Sequence, residues 1–85
     1  NIYYWQQLAH IYEYRQLYAD AEKSYRKLIA LVPNAPDNYY ELAAMSFYQN
    51  KVEDALKTYG IIEDKFGKSL ELTRQKQQLL LRQNK

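Results

Sequence analysis

Trp5-Gln6-Gln7-Leu8-Ala9-His10-Ile11-Tyr12 is answered by Tyr39-Tyr40-Glu41-Leu42-Ala43-Ala44-Met45-Ser46, and this pair of segments decides the fold. Sliding the chain past itself by 34 residues lays Leu8 on Leu42, Ala9 on Ala43, Tyr14 on Tyr48, Asp20 on Asp54, Ala21 on Ala55, Lys23 on Lys57 and Tyr25 on Tyr59. Trp5 with Tyr39, Ser24 with Thr58 and Leu28 with Ile62 are conservative matches at the same shift. A fixed period of this size marks a stacked-repeat architecture. Each unit has an apolar side that it cannot bury alone, so neighbouring units cover it, and the concave surface left over is open to a partner.

Working outward, Trp5, Leu8, Ala9 and Tyr12 fall at i, i+3, i+4 and i+7 and predict a first helix from Ile2 to Tyr14. A second stripe through Ala21, Tyr25, Leu28 and Val32 stops at Pro33, which cannot continue a helix. Arg15 to Tyr18 must therefore turn the chain. Pro33-Asn34-Ala35-Pro36-Asp37 is the clearest punctuation: Pro36 suits a first helical turn, where its missing N–H is not needed, and Asp37 favours the positive end of a helix. The third helix then carries Tyr39, Leu42, Ala43 and Ser46. Gln49-Asn50-Lys51 makes the next turn, with Asn50 in a left-handed conformation. A fourth helix presents Val52, Ala55, Tyr59, Ile62 and Phe66 before Gly67 stops it, and Ser69 caps a fifth that carries Leu72, Leu79 and Leu80. Gly60 falls inside the fourth helix, where Gly costs about 1 kcal/mol relative to Ala. Close approach of a neighbouring helix is one reason for it. Tyr14 and Tyr48, at helix ends, are read as packing residues.

Composition agrees by exclusion. With 47% apolar and 26% charged residues, two Gly and two Pro, the 85-residue chain reads as globular and all-α. It has no Cys, hence no disulfide framework and no thiolate metal site. The longest apolar runs, Ile29 to Val32 and Leu79 to Leu81, are too short to insert into a membrane. A net charge of +2 does not imply an acidic partner.

Placed on these helices, Trp5, Leu8, Ala9, Tyr12, Ala21, Tyr25 and Pro33 fit the spacing W-x-x-L-G-x-x-Y, A-x-x-x-F and P, and the chain resembles the tetratricopeptide repeat family. The second unit repeats the pattern with Tyr39, Leu42, Ala43, Ser46, Ala55, Tyr59 and Gly67. Ala9 and Ala43 stand for the family's Gly, Ser46 for an aromatic and Gly67 for the terminal Pro. Residues 1–35 and 36–69 are then two repeats. Residues 70–85, where Lys76 and Gln77 replace the expected Leu and small residue, form a divergent half-repeat or a capping helix. Five helices make about two and a half units, the content expected of a piece of a longer array. Ile2, Tyr3 and Tyr4 at one end and Leu79 to Leu81 at the other are then expected to drive self-association.

The resemblance implies a right-handed α-solenoid of antiparallel helix pairs, with the first helix of each pair lining a concave groove for a peptide or helix of another protein. On this chain the groove positions of the first helix are Tyr3, Gln6, His10 and Glu13. Their counterparts are Asp37, Tyr40, Ala44 and Phe47 on the third helix, and Arg74 and Gln78 on the fifth. Some relatives grip a C-terminal carboxylate with Lys, Asn and Arg at these places. Here Gln6, His10, Ala44, Arg74 and Gln78 hold them and Arg74 alone is cationic, which argues against that ligand. Tyr3, Tyr40 and Phe47 favour an aromatic groove, each ring serving either as an anchor or as packing.

Other chemistries find less support. His10 and Glu13 supply two metal ligands where three or four are needed, so no metal or cofactor is expected. No nucleophile, base and orienting group converge, no Gly-rich phosphate loop occurs and no paired buried carboxylate is visible, so the chain reads as non-enzymatic. Charges such as Asp54 with Lys57 and Glu22 with Arg26 read as surface pairs. The basic clusters Lys23, Arg26, Lys27 and Arg74, Lys76, Arg82, Lys85 are offset by acids, which disfavours nucleic acid. A structural spacer inside a longer solenoid is the rival to a binding scaffold. Cytoplasm and bacterial periplasm both fit the composition.

Overall fold

The computed structural model describes residues 1–83, and all of its regular structure is helical: α1 Ile2–Tyr14, α2 Tyr18–Leu31, α3 Pro36–Tyr48, α4 Val52–Phe66 and α5 Leu70–Gln83. The punctuation works as read. Pro36 opens α3, the Ser69 hydroxyl accepts from the Leu72 N–H at 3.1 Å at the start of α5, and Gly67 ends α4 at φ 90°. Asn1 caps α1 through its side chain, which accepts from the Tyr3 N–H at 2.9 Å.

The two helical hairpins are closed by the same device. In the first, the Leu17 N–H reaches back to the Tyr12 carbonyl at 2.8 Å with Gln16 at φ 61°; in the second, the Lys51 N–H reaches the Ser46 carbonyl at 2.9 Å with Asn50 at φ 64°. Both are helix ends in which one left-handed residue lets the following N–H satisfy a carbonyl a turn back. Close helix packing follows from the small residues: Ala9, Ala21, Ala43 and Ala55 are fully buried. Ser24 and Thr58 are buried beside them and return their hydroxyls to the carbonyls of Asp20 and Asp54 in their own helices.

The core forms two clusters. One gathers Ala9, Ala21, Tyr25, Leu28, Leu42 and Met45, with Trp5 and Tyr12 half-buried against it; the other gathers Tyr39, Ala43, Ala55, Tyr59, Ile62, Leu72 and Leu79. Ile29 packs against both and joins them. The two hairpins thus cover each other's apolar sides, as the repeat requires.

Several expectations are corrected. Tyr14 does not pack: it is 91% exposed, because the turn at Arg15 carries the chain away from the end of α1. Tyr48 is also exposed, although its ring meets that of Tyr18 at 4.8 Å. Leu80 leaves the buried stripe and points outward, since Leu72 and Leu79, seven residues apart, already define the inward face of α5. Gly60 has no close neighbour: a Cβ built there meets nothing within 4 Å. Asp54 and Lys57 form no ion pair with each other, whereas Glu22 and Arg26 do, at 2.8 Å. Among the expected basic residues of α5, the Arg82 side chain and Lys85 lie outside the described set. Among the described residues, no helix is long and apolar enough to cross a membrane.

Candidate binding groove

α1, α3 and α5 are the first helices of successive units, and they face a common depression. Its first hollow, about 660 Å³, has Tyr25 and Leu28 of α2 in its lining, with Gln6 and His10 from α1, Asp37, Asn38, Tyr40 and Glu41 from α3, and Glu71 and Gln75 from α5. A second hollow of about 340 Å³ is lined by Ala44, Phe47 and Tyr48 from α3, Tyr59 from α4, and Glu71, Arg74, Gln75, Gln78 and Leu79 from α5. Glu71 and Gln75 line both, so the two hollows adjoin. Helical spacing explains the set: 37, 40, 41, 44 and 47 share one side of α3, and 71, 74, 75 and 78 share one side of α5.

Of the residues read as groove positions, Gln6, His10, Asp37 and Tyr40 line the first hollow and Ala44, Phe47, Arg74 and Gln78 the second. Tyr3 lies exposed near the start of α1 and lines neither. Glu13 also lines neither; its carboxylate accepts from the Tyr25 hydroxyl. Sequence reasoning missed Glu41, Glu71, Gln75 and the tyrosines Tyr25 and Tyr59. The 34-residue shift carries Asp37 onto Glu71 and Glu41 onto Gln75, a signal that could have found the α5 pair.

The least expected feature is a carboxylate pair at the junction of three helices. The Tyr25 Oη donates to Glu13 and lies 3.1 Å from Glu41 Oε2, so α2 is tied to α1 and α3 at one atom. A phenol has one proton and satisfies one carboxylate at a time. Burial pushes the Glu41 carboxyl above its ordinary value, and the neighbouring Glu13 carboxylate pushes it further; the Tyr25 hydroxyl and His10 act in the opposite direction. Burial, the hydrogen bond to Glu13 and the charge of Glu41 raise the Tyr25 phenol too. One unit later the same latch is neutral: the Tyr59 Oη donates to Gln75 Oε1 at 3.1 Å, and the Gln75 amide donates to Glu71 at 3.0 Å. Burial and then Tyr40 raise the Tyr59 phenol.

Away from the groove, Arg26, Lys27, Lys51 and Lys76 have partners. Burial pushes the Glu22 carboxyl up, but hydrogen bonds from Arg26 and Gln49 and the Lys51 ammonium outweigh it and hold its pKa below the usual range. Lys27 Nζ sits 5.9 Å from the centroid of the Trp5 ring, and Lys76 pairs with Glu63 across α4 and α5. Among the described residues, no group of three or more His, Cys, Asp or Glu side chains comes together to hold a metal ion.

Residues 4–45, from α1 through most of α3, match the family model of the tetratricopeptide repeat. The matched residues belong to the tetratricopeptide repeat family. Tetratricopeptide repeats generally mediate protein–protein interactions and form non-enzymatic scaffolds. No curated protein and no solved structure matches this chain. The match runs from within α1 through α2 to Leu42 and Ala43 of α3, the part of the chain where the motif is most complete.

Proposed function

We propose that this chain is a non-enzymatic protein-interaction scaffold whose concave groove, centred on Tyr40 and Phe47, receives a peptide or helix of a partner protein. In this reading residues 1–35 and 36–69 are the two repeats, residues 70–85 are a divergent half-repeat or a capping helix, and Glu71, Arg74, Gln75 and Gln78 complete the groove from α5. The observation that supports it is the adjacency of the two hollows, which share Glu71 and Gln75, with a half-buried aromatic side chain of α3 in each. Aromatic groups held on a rigid helix add contact area at little entropic cost, the profile of anchors that contribute about 2 kcal/mol or more.

A photoreactive residue at position 44 tests the reading, since it sits beside Phe47 inside the groove. Crosslinked partners are expected with the wild-type groove and are expected to fall about tenfold or more with Tyr40→Ala at unchanged helix content. Undiminished crosslinking to Tyr40→Ala removes the site assignment. A chain that enriches no partner above a surface-labelled control is a spacer.

A further inference from the structure

The two halves of the groove differ in charge, and the difference names the partner's chemistry. The first hollow presents three carboxylates, Asp37, Glu41 and Glu71, and neither Lys nor Arg lines it. His10 is the other titratable group on its walls apart from the tyrosines. The second hollow shares Glu71 with the first but adds Arg74, which has no ion pair among the described residues, beside the apolar Ala44, Phe47 and Leu79.

We infer that the first hollow receives an arginine side chain of the partner peptide, with an apolar residue of the same peptide against Phe47 in the second. The inference rests on the groove reading and adds polarity to it. Three features select the occupant. The carboxylates do not converge as a metal-binding group, so the charge that answers them must be spread over several donors. A guanidinium has five N–H donors in a planar fork that matches a carboxylate edge with two parallel hydrogen bonds, a geometry that an ammonium with three donors on one atom does not offer. Tyr40 lines the same hollow, and a guanidinium is the cation that stacks best on an aromatic ring. The space of about 660 Å³ accommodates such a side chain together with the peptide backbone beside it. An acidic peptide would meet Asp37, Glu41 and Glu71 as like charges, and a phosphate backbone would meet the same repulsion.

Selection of short random peptides displayed on phage against the intact chain tests this, followed by fluorescence anisotropy on the winning peptide. The expected winners carry arginine together with an apolar residue. Replacing that arginine by methionine, which keeps length and removes charge, is expected to weaken binding about tenfold, as is the double variant Asp37→Asn, Glu71→Gln, which leaves the Tyr25 latch untouched. Amide signals of Gln6, Asn38 and Gln75, which surround the hollow, are expected to shift on titration. Winners that are neutral or acidic, or that bind the double variant undiminished, overturn the inference. If such winners are still lost with Tyr40→Ala, the groove reading stands and the arginine alone fails; if they survive Tyr40→Ala and Phe47→Ala, the groove reading fails as well. Failure to enrich any peptide overturns both.

Discussion

Ser46 occupies the place where the first unit has Tyr12, and the exchange leaves a mark. Its side chain is 1% exposed, and its hydroxyl is a buried polar atom without a hydrogen-bond partner. A buried hydroxyl without a partner costs its desolvation, so Ser46→Ala is expected to stabilise the fold by about 1 kcal/mol, read as a higher urea midpoint at unchanged slope. Gly60→Ala is expected to contribute a similar gain of about 1 kcal/mol. The position is mid-helix, and the space around a new Cβ is empty, so only the helix-propensity difference acts. A loss of stability in either variant contradicts the packing described for it. Legibility at this scale tracked side-chain chemistry. Asn50 was readable as left-handed because Asn tolerates that conformation; Gln16 adopts the same conformation without any such preference and was missed. Repeat symmetry, and not residue type, is what equates them.

Among elements, the junction between α2 and the first helices carries a titratable contact that the sequence concealed. Tyr25, Glu13 and Glu41 stand on three helices, and no short-range pattern joins them. The helix boundaries, by contrast, were readable because Pro33, Pro36, Gly67 and Ser69 act locally. The direction of the Glu41 shift fixes a pH dependence. Its folded pKa lies above the ordinary 4.5, so its contribution to stability is complete below that value and is lost as pH rises through the folded pKa. Glu41→Gln replaces the charge by the group that the second unit already uses against Tyr59. The variant is expected to exceed the wild type by a few tenths of a kcal/mol at pH 7, a small effect because Glu41 is only half-buried. The difference is expected to shrink toward zero below pH 4.5, where wild-type Glu41 is also protonated. Denaturation of both proteins at several pH values measures it. Glu22, whose pKa is lowered, stabilises above 4.5 and weakens both proteins alike on acidification, so it cancels from the comparison. A difference that grows as pH falls contradicts the latch.

At the scale of the whole molecule, the repeat itself shows which surface lacks a neighbour. On α3, Leu42 and Met45 are buried, in one cluster with Tyr25 and Leu28 of the preceding helix. One period earlier, the same face of α1 carries Leu8 and Ile11, and Ile11 is 50% exposed with Tyr4 exposed one helical stretch before it. The helices that line the two hollows were legible for the same reason that this face is: a period of 34 residues transfers the environment of one helix to the next, whereas part of their charge, Glu71 and Arg74, comes from α5, where the motif fades. In the 85-residue chain by itself this face is exposed and is expected to meet a second copy, apolar side against apolar side. The patch is small against the roughly 800 Å² per partner of a stable complex, so the association is expected to be weak and to appear only at high protein concentration. Sedimentation equilibrium is expected to show a mass that rises with concentration for the wild type and stays at 10.2 kDa for Ile11→Glu. Leu81→Glu, at the far end, serves as the comparison: if it alone abolishes the rise, the α5 end carries the contact, and a wild type that stays monomeric throughout refutes association at either end.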